Sequence, residues 1–309
     1  MRPAFLFLFL ILLVQCTSSP DKPAEVAATP RHSYDYCYTN KTGIFVFNAG
    51  DRTGRHIKWE ANDVQLSPDG TWLAYTDVSD SQSDRRIGLM DLESGKTTIL
   101  DSACHNCYGP VWSPDGQYLA YNAFSGGEWN IKYVDTGDKH ADFLTKVKGH
   151  EHDCFSPQWT ADSKRVLVQD LSAIYFIDLK GNVVKTIAFG DIDSTISGSS
   201  SMRFLLTPRE DKLIYESELS TDSAAAPGSE EPPTYIFSYD MPSKKITRLT
   251  NWEYNCYNPV LKGDTIFCHG WDPHCAPGDM GNVYSLTING GDFKLAFKNC
   301  RYFSCRTKP

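Results

Sequence analysis

Nowhere in these 309 residues do five lysines and arginines stand together, and 30 basic residues against 38 acidic ones leave a formal charge of −8. Such a chain lacks the positive field that a polyanion requires, which argues against nucleic acid as a partner. Long apolar runs are also scarce. One occupies residues 4–14, well short of the roughly 20 residues of a membrane-spanning helix. No ten-residue stretch keeps a helical period, and no Gly-x-Ser-x-Gly elbow is present to carry a hydrolase serine. What remains is ordinary globular material, 41% hydrophobic and 13% aromatic with 22 Gly and 17 Pro, enough to build a core.

Arg2 followed by the short apolar run reads as an export signal. Leu13-Val14-Gln15-Cys16 resembles a bacterial lipobox, which implies lipidation of Cys16 as the mature N-terminus. Gln15 departs from the small residue usual there, and Val26-Ala27-Ala28 offers an alternative cleavage site for plain secretion. The chain thus divides into a signal peptide (1–16), a Pro-rich disordered tether (17–32) with little apolar surface to order it, and one folded domain (33–309). Thr17 is not acidic, so the expected place is the outer membrane, facing periplasm or surface.

A phrase repeats along the folded part. Leu66-Ser67-Pro68-Asp69-Gly70 leads into Trp72-Leu73-Ala74-Tyr75, and Trp112-Ser113-Pro114-Asp115-Gly116 into Tyr118-Leu119-Ala120-Tyr121. Degenerate copies begin at Trp159, Leu206 and Val260. With Ala74, Ala120, Leu167, Ile214 and Ile266 as equivalents the steps are 46, 47, 47 and 52 residues, the spacing of propeller blades. Each copy accommodates four short strands, for example 109–112, 118–122, 129–134 and 141–144. Pro-Asp-Gly suits the turn between the first two, because Asp accepts from nearby backbone N–H groups and Gly tolerates positive φ; Asp69 and Asp115 are therefore turn-formers. Residues 34–38, 43–47 and 55–59 supply three strands of a further blade, and 300–305 a lone fourth. Joining them closes an all-β ring of six four-stranded antiparallel blades and removes the open edges.

These phrases resemble the TolB-like, WD-repeat-like propellers, with tricorn protease and prolyl-peptidase propellers as relatives. The resemblance covers residues 34–305 and implies a six-bladed ring; it does not imply a function. TolB has an additional N-terminal domain, whereas only the tether precedes the ring here, so the Tol–Pal role is not carried over.

In such a ring the a–b and c–d turns share one face and the d–a and b–c connections the other. The latter are the longer, at 77–84, 123–128, 216–233 and 269–281 among the b–c loops, and long loops on a rigid scaffold are where binding resides. They gather His105, His150, His152, Asp153, Asp191, Asp193, Trp252, Tyr254, His269, Trp271 and His274 around the channel mouth as candidate binding residues. Segment 216–233 is acidic and Ala/Pro/Ser-rich, and reads as flexible.

Ten cysteines are present, and lipidation of Cys16 leaves an odd set. Export makes disulfides available; the favoured pairs are Cys104 with Cys107 or Cys154, Cys268 with Cys275, and Cys37 with Cys300 or Cys305. Cys104, Cys107, His150, His152 and Cys154 could alternatively hold zinc, although the spacing is not that of a usual zinc motif and no cofactor is favoured.

Two functions compete. One is a non-catalytic, membrane-anchored envelope protein that binds a protein or glycan at the loop-rich face, where Trp252, Trp271 and Tyr254 suit stacking. The other is a polysaccharide or oligosaccharide lyase with a His-based metal site. Phe267-Cys268-His269-Gly270-Trp271 resembles a phrase of oligogalacturonate lyases, in which His150 or His152 would ligate a divalent cation and His269 assist proton abstraction.

Overall fold

The turn phrase folds as its chemistry requires. Ser67 Oγ donates to Asp69 Oδ1 at 2.6 Å, Asp69 Oδ1 accepts from Thr71 N–H at 3.1 Å, and Ser67 Oγ accepts from Trp72 N–H at 2.9 Å. Ser113 with Asp115 and Thr160 with Asp162 repeat the pattern. Positive φ falls on Gly70, Gly116 and Ser163 at the same step.

A computed structural model describes residues 31–50, 54–78, 84–145, 153–196, 198–218, 233–271 and 280–308. His32–Pro309 forms one unit, distinct from Met1–Arg31. Its strands run β1 (Tyr36–Asn40), β2 (Gly43–Phe47) and β3 (Arg55–Ile57), then β4 (Asn62–Leu66), β5 (Trp72–Asp77), β6 (Arg86–Asp91) and β7 (Thr97–Ile99). The third group is β8 (Cys107–Trp112), β9 (Tyr118–Ser125), β10 (Glu128–Asp135) and β11 (Ala141–Phe143); the fourth is β12 (Phe155–Trp159), β13 (Arg165–Gln169), β14 (Ala173–Asp178) and β15 (Val183–Ala188). After α1 (Phe189–Ile192) come β16 (Phe204–Leu206), β17 (Lys212–Glu218), β18 (Thr234–Asp240) and β19 (Lys245–Arg248). The last are β20 (Asn255–Lys262), β21 (Thr265–Trp271), β22 (Asn282–Thr287), β23 (Lys294–Lys298) and β24 (Arg301–Cys305). No helix among the described residues is long and apolar enough to cross a membrane.

These strands make six four-stranded antiparallel sheets, and β24 completes the first in the order β24-β1-β2-β3. The ring is closed as the sequence requires. Six apolar clusters fill it, one between each pair of neighbouring blades. The closing interface is built like the others: Phe267 and Val283 of blade 6 pack against Cys300, Phe303 and Cys305, with Tyr36 and Phe297 alongside. Tryptophans on the innermost strands add a tie, Trp112 Nε1 donating to Gln65 O at 3.2 Å and Trp159 Nε1 to Val111 O at 3.0 Å.

Three details differ from the sequence reading. In blade 6, Val260 pairs with Phe267 and Leu261 with Ile266, so Phe267, not Ile266, corresponds to Ala74 opposite Gln65; a tight turn at Gly263-Asp264 replaces the longer turn of the other copies. Residues 123–128 are not a long loop: β9 and β10 continue to Ser125 and Glu128, and Gly126-Gly127, both at positive φ, close a two-residue hairpin. His269 belongs to β21 rather than to the loop that follows.

The cysteine pairing also differs. Cys104 and Cys107 lie at bonding distance with Cα atoms 6.2 Å apart, but among the described residues Cys37, Cys256, Cys268, Cys300 and Cys305 are buried thiols outside any disulfide. Cys37 stands opposite Ser304 and Tyr36 opposite Cys305, so Cys37 and Cys305 point to opposite faces of their sheet, Cys37 into the cluster against blade 2 and Cys305, with Cys300, into that against blade 6. Cys154 packs between blades 3 and 4, away from the cluster holding Cys104 and Cys107. Cys16 and Cys275 lie outside the described residues.

Candidate functional site

The innermost strands line a central channel, and five of the six are kinked at the same step. Asp63, Gly109, Ser156, Asn258 and Tyr302 all have positive φ beside a register shift of their strand pair, the signature of a β-bulge. Each stands four residues before the Ser67 position of its repeat. In blade 5, where β16 is short, the equivalent residue is Arg203.

Behind these kinks the second strand of each blade places a buried polar residue at the same step: Thr39, Thr76, Asn122, Gln169, Glu216 and His269. Most of them tie their blade to the next. Thr76 Oγ1 accepts from Gly109 N–H at 3.1 Å and Asn122 Oδ1 from Ser156 N–H at 3.0 Å. Gln169 Nε2 donates to Ser199 O at 2.8 Å, Glu216 Oε2 accepts from Asn258 N–H, and His269 Nε2 sits 2.8 Å from both Cys300 O and Met280 O. Thr39 differs, donating at 3.3 Å to Arg301 O of its own sheet.

Two members of this ring titrate. Burial pushes the Glu216 carboxyl up to about 7, against the opposing pull of the nearby Arg203 charge and the backbone N–H groups of Asn258 and Arg203. Burial lowers His269, against the two carbonyls that would favour its charged form. A neutral ring with Nε2–H donating satisfies both carbonyl oxygens.

A cavity of about 30 Å³ on the loop-face side touches Asp63, Arg203, Asn258, His269 and Tyr302. Gln65 and Arg203 line both this cavity and a larger one of about 410 Å³ reaching the turn face.

The loop-face candidates fall into separate neighbourhoods. His105 is exposed, its Nδ1 2.7 Å from Asp84 Oδ1, and Asp84 also accepts from Arg86 Nη2 at 2.8 Å; those two hydrogen bonds hold the Asp84 carboxyl below its usual range. Beside it Arg85 donates to Asn106 Oδ1 and covers the Tyr108 ring at 4.4 Å. Asp153 Oδ1 accepts from Trp129 N–H at 2.7 Å. Asp191 is exposed in α1, and Asp193 ends that helix, accepting from Thr195 N–H at 2.9 Å. Trp252 stands 65% exposed. Tyr254 turns inward against Tyr284 and Phe293, and Trp271 Nε1 donates to Tyr257 Oη at 3.1 Å. His150, His152 and His274 lie outside the described residues. Cys104 and Cys107 face one another rather than Cys154, and no cluster of three His, Cys, Asp or Glu occurs among the described residues.

The sequence reading did not single out Arg203, Asp63, Glu216, Asn258 or Tyr302. A signal was present: the residue nine places after Ser67, Ser113, Thr160 and Thr207 is polar in four of the five copies, as Thr76, Asn122, Gln169 and Glu216. In a strand otherwise apolar on both faces, a repeated polar column marks a required hydrogen bond.

No family model matches the chain. A segment of 130 residues is 26% identical to the Tol-Pal system protein TolB of Francisella tularensis subsp. mediasiatica, covering 38% of this chain and 29% of that protein. Another of 87 residues is 28% identical to a putative tricorn protease homolog 2 of Streptomyces coelicolor, covering 27% and 7%. The chain therefore matches less than a third of the length of these relatives. Among solved structures, TolB from Acinetobacter baumannii superposes with a TM-score of 0.61 over 88% of this chain and 66% of that one, at 16% identity. In fold, the chain is a TolB-like six-bladed β-propeller closed by its C-terminal strand.

Proposed function

We propose that this protein is a non-catalytic binding protein of the bacterial cell envelope, exported by residues 1–16, anchored through a lipid on Cys16 in the outer membrane, and presenting its loop face to an envelope protein or glycan. The observation that carries the reading is Trp252, a large aromatic left 65% exposed on a connection into blade 6, where a partner would cover it. The likeness to proteins named for the Tol-Pal system supports the compartment and a protein partner. The lyase alternative gains nothing from the described residues, because His269 is buried and its Nε2 is engaged by two carbonyl oxygens.

A photo-crosslinking residue at position 252, expressed in the full chain in intact cells, is expected to capture a defined envelope component. The same residue at Val184, exposed on the outer strand β15, is expected to capture none. Equal capture at both positions, or none at either, overturns the reading. Cys16→Ser is expected to move the protein from the membrane fraction to the soluble one; a variant that stays membrane-bound removes the lipid anchor from the proposal.

A further inference from the structure

The larger cavity faces away from the loops just described and has a chemistry of its own. Its walls hold two cations, Arg203 and Lys308, and not one aspartate or glutamate, in a chain whose formal charge is −8. The two cations differ in how they are held. Lys308 Nζ is exposed at the rim and donates to Asp115 O at 2.8 Å. Arg203 is half-buried, and among the described residues its guanidinium makes no hydrogen bond and no ion pair; Glu216 feels its charge but is held by backbone N–H groups instead. A guanidinium with five idle donors, partly withdrawn from water, is costly unless something accepts from it.

The surroundings narrow what that is. Gln158 also lines the cavity, its side-chain amide without a partner among the described residues, and Gln65, whose Oε1 accepts from Ser304 Oγ at 3.3 Å, lines it too. Above this polar floor the walls are Trp112, Trp159, Leu206 and Leu261, with prolines at the rim. The indole N–H groups of both tryptophans are already used between blades, so these rings offer only apolar surface. A volume of about 410 Å³ is within the range of small-molecule sites.

We infer that this chamber binds an organic carboxylate with an apolar body, the carboxylate on the Arg203 fork and the body against Trp112 and Trp159. Planar bidentate pairing is what a guanidinium does best with a carboxylate. Free small acids and the C-terminal carboxylate of a short peptide share this chemistry. The site is independent of the loop-face reading, so either can fail alone.

Calorimetry on the full chain with 4-phenylbutyrate and its neutral amide tests it. The acid is expected to bind at least about tenfold more tightly than the amide, the scale of a charge-assisted pair. Arg203→Gln is expected to abolish that preference while keeping the wild-type Tm, Arg203→Lys to retain part of it, and Gln158→Leu to weaken the acid several-fold. A Leu-Phe dipeptide with free or amidated C-terminus distinguishes the sources: preference for the free form by more than the acid-to-amide ratio assigns the site to peptide ends, and a smaller preference to small acids. Acid and amide binding alike, Arg203→Gln binding the acid as the wild type does, inorganic phosphate binding as tightly as the acid, or no binding at about 10 mM would each overturn the inference. Should Arg203→Gln fail to fold, the Gln158→Leu and Arg203→Lys results decide it.

Discussion

At the turn face the same three hydrogen bonds recur in blades 2, 3 and 4, around Asp69, Asp115 and Asp162. At the loop face the described residues differ from blade to blade: His105 pairs with Asp84, Asp153 caps a neighbouring strand, and Trp252 is bare. The repeated face is where folding information is concentrated, because each turn must reverse the chain in the same way. The irregular face is free to vary, because its loops hang on strands already placed. The larger cavity nevertheless lies behind the repeated face, so regularity of backbone does not exclude a site; the side chains projecting into the channel are set separately.

The sharpest way to break the comparison is to remove what closes the ring. Truncation before β24 removes Phe303 and exposes the edge of β1 together with Phe267 and Phe297, which pack on that ring. The shortened chain is expected to lose cooperative unfolding and to aggregate; a Tm within a few degrees of wild type would show that closure contributes little.

Next in size is a contrast within the turn face itself. Gly70 and Gly116 occupy the same step of the same phrase, yet a Cβ on Gly70 would meet Tyr34 O at 2.2 Å, whereas one on Gly116 would meet nothing nearer than 3.8 Å. Gly70→Ala is expected to cost about 3 kcal/mol, from positive φ plus a backbone clash, and Gly116→Ala about 1 kcal/mol from φ alone. Urea unfolding of the two variants side by side measures this, and equal losses would mean that the N-terminal segment does not press on the first turn.

Of at most similar size is the effect of acidity on the ring of buried polar groups. Between pH 4.5, the ordinary carboxyl value, and about 7, folded Glu216 keeps a proton that the unfolded chain has released. Its contribution to stability therefore falls as pH rises through that window, by up to about 3 kcal/mol. His269, lowered by burial, acts in the opposite sense and costs stability as pH falls below its ordinary 6.5. Glu216→Gln keeps an acceptor for Asn258 N–H and is expected to lose less stability than wild type between pH 5 and pH 8. Identical losses in denaturant titrations at the two pH values would show that Glu216 ionises as freely in the folded protein as outside it.

How much was legible follows from the same physics. Pro-Asp-Gly announces a turn through its own side chains, and alternating apolar residues announce a strand, so blade number, spacing and closure could be read without coordinates. Ile266 was misread by one place because its turn is shorter than the others, and a strand slipped by one residue exchanges its faces. His105, Asp84 and Arg85 come from two loops whose approach no spacing reveals, and Tyr254 looks like a loop aromatic until the inward packing against Tyr284 is seen.

The sequence by itself determined the six-bladed ring, because its instructions are local: a turn, a strand and a repeat length act within about fifty residues. Only the tertiary structure decided which polar groups meet at the axis. Arg203, Gln158 and Gln65 are separated by long stretches of chain and come together solely because three innermost strands converge there, a placement that depends on ring closure and on no motif of their own.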